Sequence, residues 1–129
     1  MEADGYSFAH AMAAFIEDCE ARGLSDKIML VCCGEMGRTP KLNERGGRDH
    51  WARLAPLMIY GGGIERGRVI GKSDRLGGEQ ITDAYNPRHL ISSILRTVFD
   101  PGQLRLIPNA PQEILELLDH PPIAGIGLS

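Results

Sequence analysis

At 129 residues, with 14 Lys and Arg against 17 Asp and Glu and a formal net charge of -3, the chain is sized for one domain with a core of ordinary extent. It has no long basic block and only 5% aromatic residues, which argues against a nucleic-acid partner. No apolar run approaches the roughly 20 residues that a membrane-spanning helix needs, and the acidic start, Met1-Glu2-Ala3-Asp4-Gly5, is unlike a signal peptide, so the chain as written is expected in the cytoplasm.

Taken in order, residues 7 to 22 place Phe8, Met12, Phe15, Ile16 and Cys19 at steps of three and four, which predicts a helix with one apolar face. Glu17, Asp18, Glu20 and Arg22 fall largely on the other face, and Gly23 is placed to end the helix. Ile28-Met29-Leu30-Val31-Cys32-Cys33 is a continuous apolar run, which predicts a strand buried on both faces in an α/β layer. The three cysteines, at 19, 32 and 33, are odd in number and lack metal-ribbon spacing, so they read as small hydrophobes.

A polar, glycine-bearing loop follows. Leu54 to Tyr60 then predicts a second strand, with Pro56 near its start, and Gly61-Gly62-Gly63 breaks it. Val69-Ile70-Gly71 suggests a short third strand and Lys72 to Ile81 a loop. Residues 87 to 99 carry Leu90, Ile91, Ile94, Leu95 and Val98 on one helical face, with Asn86 as cap, Pro87 in the first turn and Asp100-Pro101-Gly102 as the stop. Pro111 to Leu118 predicts one more short helix, and the Pro- and Gly-rich stretch 120–129 reads as a loosely ordered tail that wraps or frays.

The chemistry-bearing residues concentrate between the first two strands. Glu35 follows the first strand by one glycine, at the strand end where ligands bind in α/β sheets. Asp49 and His50 precede the next strand, and carboxylate oxygen with neutral imidazole nitrogen can ligate a divalent metal. Arg38 and Arg48 suit an oxyanion, because a planar guanidinium binds phosphate or sulfate with two parallel hydrogen bonds. Plainer roles stand beside these: Glu35 pairing with Arg38 or capping a helix, Asp49 pairing with Arg48 or Arg53, and His50 half-buried beside Trp51. The Gly61-Gly62-Gly63 run has neither a dinucleotide nor a P-loop spacing, and His10, His89 and His120 read as structural or surface residues.

The first strand with Gly34-Glu35-Met36-Gly37-Arg38-Thr39-Pro40, then Gly46-Gly47-Arg48-Asp49-His50-Trp51, Leu57 to Ile64, Val69-Ile70-Gly71 and Ser73-Asp74-Arg75, resembles the C-terminal part of domain-of-unknown-function family 1501 over roughly residues 7 to 100. That family looks sulfatase-like and is grouped with the alkaline-phosphatase superfamily. The resemblance implies a three-layer αβα sandwich, here partial, and hydrolysis of phosphate or sulfate esters at a metal site. It would place zinc, or a metal of the calcium and magnesium class, on Glu35 and His50, with Asp49 as a further ligand or as a partner that orients His50. Met36 stands where superfamily enzymes commonly have a histidine ligand.

The superfamily's nucleophile lies on a strand N-terminal to the matched region, and family members tend to carry an export signal. The expectation is therefore a single, incomplete C-terminal domain over 1–129. Such a chain would be a hydrolase-like module, inactive alone, that self-associates or meets a complementary N-terminal half. The alternatives are a non-catalytic remnant that binds an anion or a protein partner through the 34–51 loop, and a purely structural α/β domain.

Overall fold

The computed structural model describes the backbone from Glu2 to Ile126 and side chains from Gly5 onward. It is a mixed α/β structure of four helices and two small antiparallel sheets: α1 (Glu2–Ala21), β1 (Met29–Cys33), β2 (Gly37–Arg38), β3 (His50–Trp51), β4 (Leu57–Gly61), α2 (Pro87–Val98), α3 (Pro101–Arg105) and α4 (Gln112–Asp119).

Helix α1 ends as its sequence requires. Gly23 takes φ 63°, and the amides of Gly23 and Leu24 reach back to the carbonyls of Glu20 and Cys19, which satisfies the last turn. Its inward stripe is narrower than the apolar residues suggest. Met12, Ile16 and Cys19 turn in, Cys19 being buried and the Cys32 thiol lying 3.9 Å from the Met12 sulfur. Phe8 and Phe15 stay exposed. A ribbon of two strands about 4.8 Å apart is too narrow to cover a helix flank on both sides.

That ribbon is β1 with β4, antiparallel, in the register Met29 with Gly61 through Cys33 with Leu57. The expectation of a strand buried on both faces is corrected here: β1 is half-buried, and Cys33, Leu57 and Met58 are exposed. Among the described residues each strand of the ribbon has one partner, so its outer edges are open. The exposed Cys33 thiol also departs from the reading of that cysteine as a core hydrophobe.

Val69-Ile70-Gly71 is not a strand. Gly67 and Gly71 turn the chain at φ 70° and 84°, and Val69 is 93% exposed. The pairing lies just beyond, as a Ser73–Gln80 bridge within the segment read as loop.

The C-terminal half packs more tightly. The Asn86 side chain accepts the amides of Arg88 and His89, and His89 Nδ1 accepts the Asn86 amide in return, so α2 starts with a reciprocal cap. Asp100 stops α2 as expected but also opens α3, its carboxylate accepting the Gln103 amide at 2.8 Å. Helix α4 lies against α2, where Ser92 and Ser93 are fully buried. Their hydroxyls donate to the carbonyls of His120 and His89, and Ser93 Oγ also accepts the Ile123 amide. Residues 120–126 thus follow the wrapped course: Ile123 and Ile126 are buried, and the Gly125 carbonyl accepts a bond from Arg68. The His89 and His120 rings meet edge to face at 4.5 Å. Residues 127–129 of the expected tail lie outside the described residues.

The two halves meet at the end of β4. A Cβ at Gly62 would come within 2.9 Å of the Thr97 methyl group of α2, and Gly62 holds φ 64°. The glycine run is therefore a close-packed turn.

Candidate functional site

The loop from Gly34 to Trp51 leaves the carboxyl end of β1 and returns ahead of β4, and its own backbone bonds give it shape. The Gly34 amide donates to the Pro56 carbonyl, and a Cβ at Gly37 would overlap the Leu54 carbonyl oxygen, so the chain passes close to the segment that leads it out. Residues 37–38 and 50–51 then pair as β2 and β3, with Gly37 opposite Trp51 and Arg38 opposite His50. Two residues per strand is too short a signal to read from periodicity.

Between them, residues 39 to 49 form a closed excursion organised by Asn43. Its Oδ1 accepts the amides of Arg45 and Gly47, its backbone amide donates to the Gly47 carbonyl, and its Nδ2 donates to Asp49 Oδ1 at 2.8 Å. Gly46 supplies the positive φ, 71°, that this turn needs. Thr39 closes the base: its amide donates to the Asp49 carbonyl, and its hydroxyl accepts the Asp49 amide. Neither Asn43 nor Thr39 was singled out from the sequence. The Asn-x-x-Gly-Gly spacing is the turn signal that marks Asn43.

This architecture sorts the predicted site residues. Arg48 Nη1 donates to the carbonyls of Thr39, at 2.8 Å, and Pro40, so that guanidinium braces the loop. Asp49 is tied to Asn43, and pairs with neither Arg48 nor Arg53. Arg53 pairs instead with Glu79 at 2.7 Å. Among the described residues Arg38 makes one long contact, 3.4 Å, to the Arg48 carbonyl, and the residue is exposed. Glu35 and His50 are exposed too. Among the described residues no three His, Cys, Asp or Glu side chains gather as a metal-holding group. Glu35, Asp49 and His50 do not form such a group in this structure.

The arrangement can present one guanidinium and one imidazole on the same side of a two-stranded turn. Residues directly opposite in an antiparallel pair hold their Cβ atoms about 4.5–5.5 Å apart, which lets Arg38 and His50 reach one small anion together. Trp51, next in β3, donates its indole N–H to the Gly78 carbonyl at 2.8 Å, which ties the loop to the 73–80 turn.

Comparison with known proteins gives a family and no function. No curated protein and no solved structure matches the chain. Residues 2–109 match the family described as "Protein of unknown function (DUF1501)". That match spans well over half of the chain and contains the whole strand–loop–strand unit; the chain belongs to the DUF1501 family.

Proposed function

We propose that this chain is a sulfatase-like module of the αβα-sandwich, alkaline-phosphatase type that binds a phosphate or sulfate ester through its 34–51 loop and does not hydrolyse it alone. The observation that carries the reading is the exposed cross-strand pair of Arg38 and His50, held on a loop whose shape is set by Asn43, Arg48 and Asp49. A charge-assisted guanidinium–oxyanion contact is among the stronger polar interactions available to an exposed site. In this reading Arg48 and Asp49 act through the loop they build, and Glu35 stands exposed near the start of that loop.

In this reading the 34–51 loop supplies the oxyanion contacts only, and a nucleophile and any further metal donors come from a surface outside that loop. Support for such a surface is the β1–β4 ribbon, whose edges are open among the described residues and whose Leu57 and Met58 are exposed. A further polypeptide segment seated on those edges would meet this description, and the same edges favour the second reading, a non-catalytic module that binds a protein partner or a second copy.

Titration with inorganic phosphate and sulfate, followed through the single tryptophan, Trp51, tests the binding claim. Arg38→Ala and His50→Ala are each expected to weaken binding about tenfold, the worth of one charge-assisted hydrogen bond. Asp49→Asn keeps the acceptor for Asn43 and is expected to bind like the wild type, whereas Asp49→Ala is expected to weaken binding. Equal binding by wild type, Arg38→Ala and His50→Ala would sink the reading. Release of aryl phosphate or aryl sulfate by the chain alone would overturn the non-catalytic part.

A further inference from the structure

The 72–82 segment is a closed hairpin organised around one carboxylate. Asp74 Oδ1 accepts the amides of Leu76 at 2.9 Å and Gly78 at 2.8 Å, while its backbone amide donates to the Glu79 carbonyl and its carbonyl accepts from Gly77. Ser73 pairs with Gln80, the Ile81 amide donates to the Lys72 carbonyl, and the Lys72 amide donates to the Thr82 hydroxyl. The Gly78 and Leu76 amides favour the ionised carboxyl and hold it below the usual carboxylate range.

This hairpin is joined to the candidate loop by side chains that start 26 and 27 residues away. The Gly78 carbonyl accepts the Trp51 indole N–H, and the Glu79 carboxylate receives the Arg53 guanidinium, which itself lies 6.0 Å from the centre of the Trp51 ring. Trp51 is the residue after His50 on β3, and its backbone is paired with Gly37. A carbonyl at residue 78 and a carboxylate at residue 79 thus hold both ends of the segment that leaves His50. Asp74 sets where those two groups stand, because its carboxylate fixes the Gly78 amide one bond from the peptide plane that carries the acceptor.

We infer that the 72–82 hairpin is a latch for the β2–β3 pair and that Asp74 is a positioning residue for His50 and Arg38, acting through Gly78, Trp51 and Glu79. The functional consequence rests on the anion-binding reading above; the latch itself stands on the hydrogen bonds and can be judged without a ligand. Asp74 touches neither Arg38 nor His50 and takes no part in binding chemistry.

The test uses the full chain and the fluorescence of Trp51, with NMR of the His50 imidazole as a second readout. Asp74→Ala is expected to move Trp51 emission to the red, to raise acrylamide quenching several-fold and to shift the His50 ring resonances. Asp74→Asn retains an oxygen acceptor for the two amides and is expected to restore wild-type values in all three. Arg53→Ala, which leaves the hairpin intact, is expected to shift emission in the same direction by less, and it keeps the test decisive where Asp74→Ala loses its helical circular dichroism. Unchanged Trp51 emission in a folded Asp74→Ala and in Arg53→Ala would overturn the latch. A red shift with unmoved His50 resonances would overturn the positioning role. Failure of wild-type chain to bind phosphate would remove the anion-binding reading and leave the emission and resonance results to decide the latch.

Discussion

Glu20 shows how a side chain that looks like solvated surface can be set by a distant partner. It accepts the Tyr60 hydroxyl at 2.6 Å and an Arg66 nitrogen at 3.0 Å, and so joins α1 to β4 and to the turn beyond it. The bond to Glu20 is lost when the phenol ionises, and this pushes the Tyr60 pKa up to about 12. The same bond, with Arg66, holds the Glu20 carboxyl below its usual range. A folded pKa above the unfolded one contributes stability fully below the ordinary tyrosine value of about 10, and that contribution is lost as pH rises toward 12. Absorbance titration of the tyrosines should therefore show one late transition, absent in Tyr60→Phe and moved back toward the ordinary range in Glu20→Gln. A wild-type chain whose three tyrosines all ionise in the ordinary range would contradict the contact. None of this was legible in the sequence, since residues 20 and 60 carry no local mark of each other.

Elements built by local chemistry were legible, and those built by distant pairing were not. The α2 helix was readable because its cap, first-turn proline and apolar face are all written within one stretch, Asn86 to Phe99. The reciprocal bond from His89 was the part missed, since histidine at that position is an unusual partner for a cap. Asn86→Ala should cost about 1 kcal/mol of stability in urea unfolding, with Asn86→Asp close to wild type. No loss in the alanine variant would mean that packing on α4 alone holds the helix start. By contrast, Val69-Ile70 had the composition of a strand and no neighbour to pair with, while Ser73 and Gln80 paired across a turn that an aspartate closes. Composition describes what a segment tolerates; a strand also needs a partner in register.

Over the whole molecule, burial is deepest in the C-terminal half, where α2, α4 and the wrapped segment meet. Leu118 is fully buried, Ile123 and Ile126 are buried, and the Ile123 amide donates to the buried Ser93 hydroxyl. Ile123→Ala should cost about 2–4 kcal/mol by denaturant unfolding, through lost transfer energy and the cavity left behind. An effect under about 1 kcal/mol would instead match a surface site. The N-terminal half is a helix over a two-stranded ribbon, with Phe8, Phe15, Leu57 and Met58 exposed, so the candidate loop springs from the thinner part of the structure. The 72–82 hairpin compensates by holding that loop from the other side.

By itself the sequence determined α1, α2 and α4, the two main strands, the place of the charged loop between them, and membership of the family carried by that loop. These are short-range properties, encoded in periodicity, caps and a motif whose residues lie close together in the chain. Only the tertiary structure decided which loop residues are free. Arg48 and Asp49 have the chemistry of ligands, but Thr39, Pro40 and Asn43 supply hydrogen-bond partners that turn them into braces. Arg38 and His50 look no different in one dimension and are left exposed by the register of two short strands. A side chain's availability depends on what else is within about 3 Å of it, and that is settled by the fold.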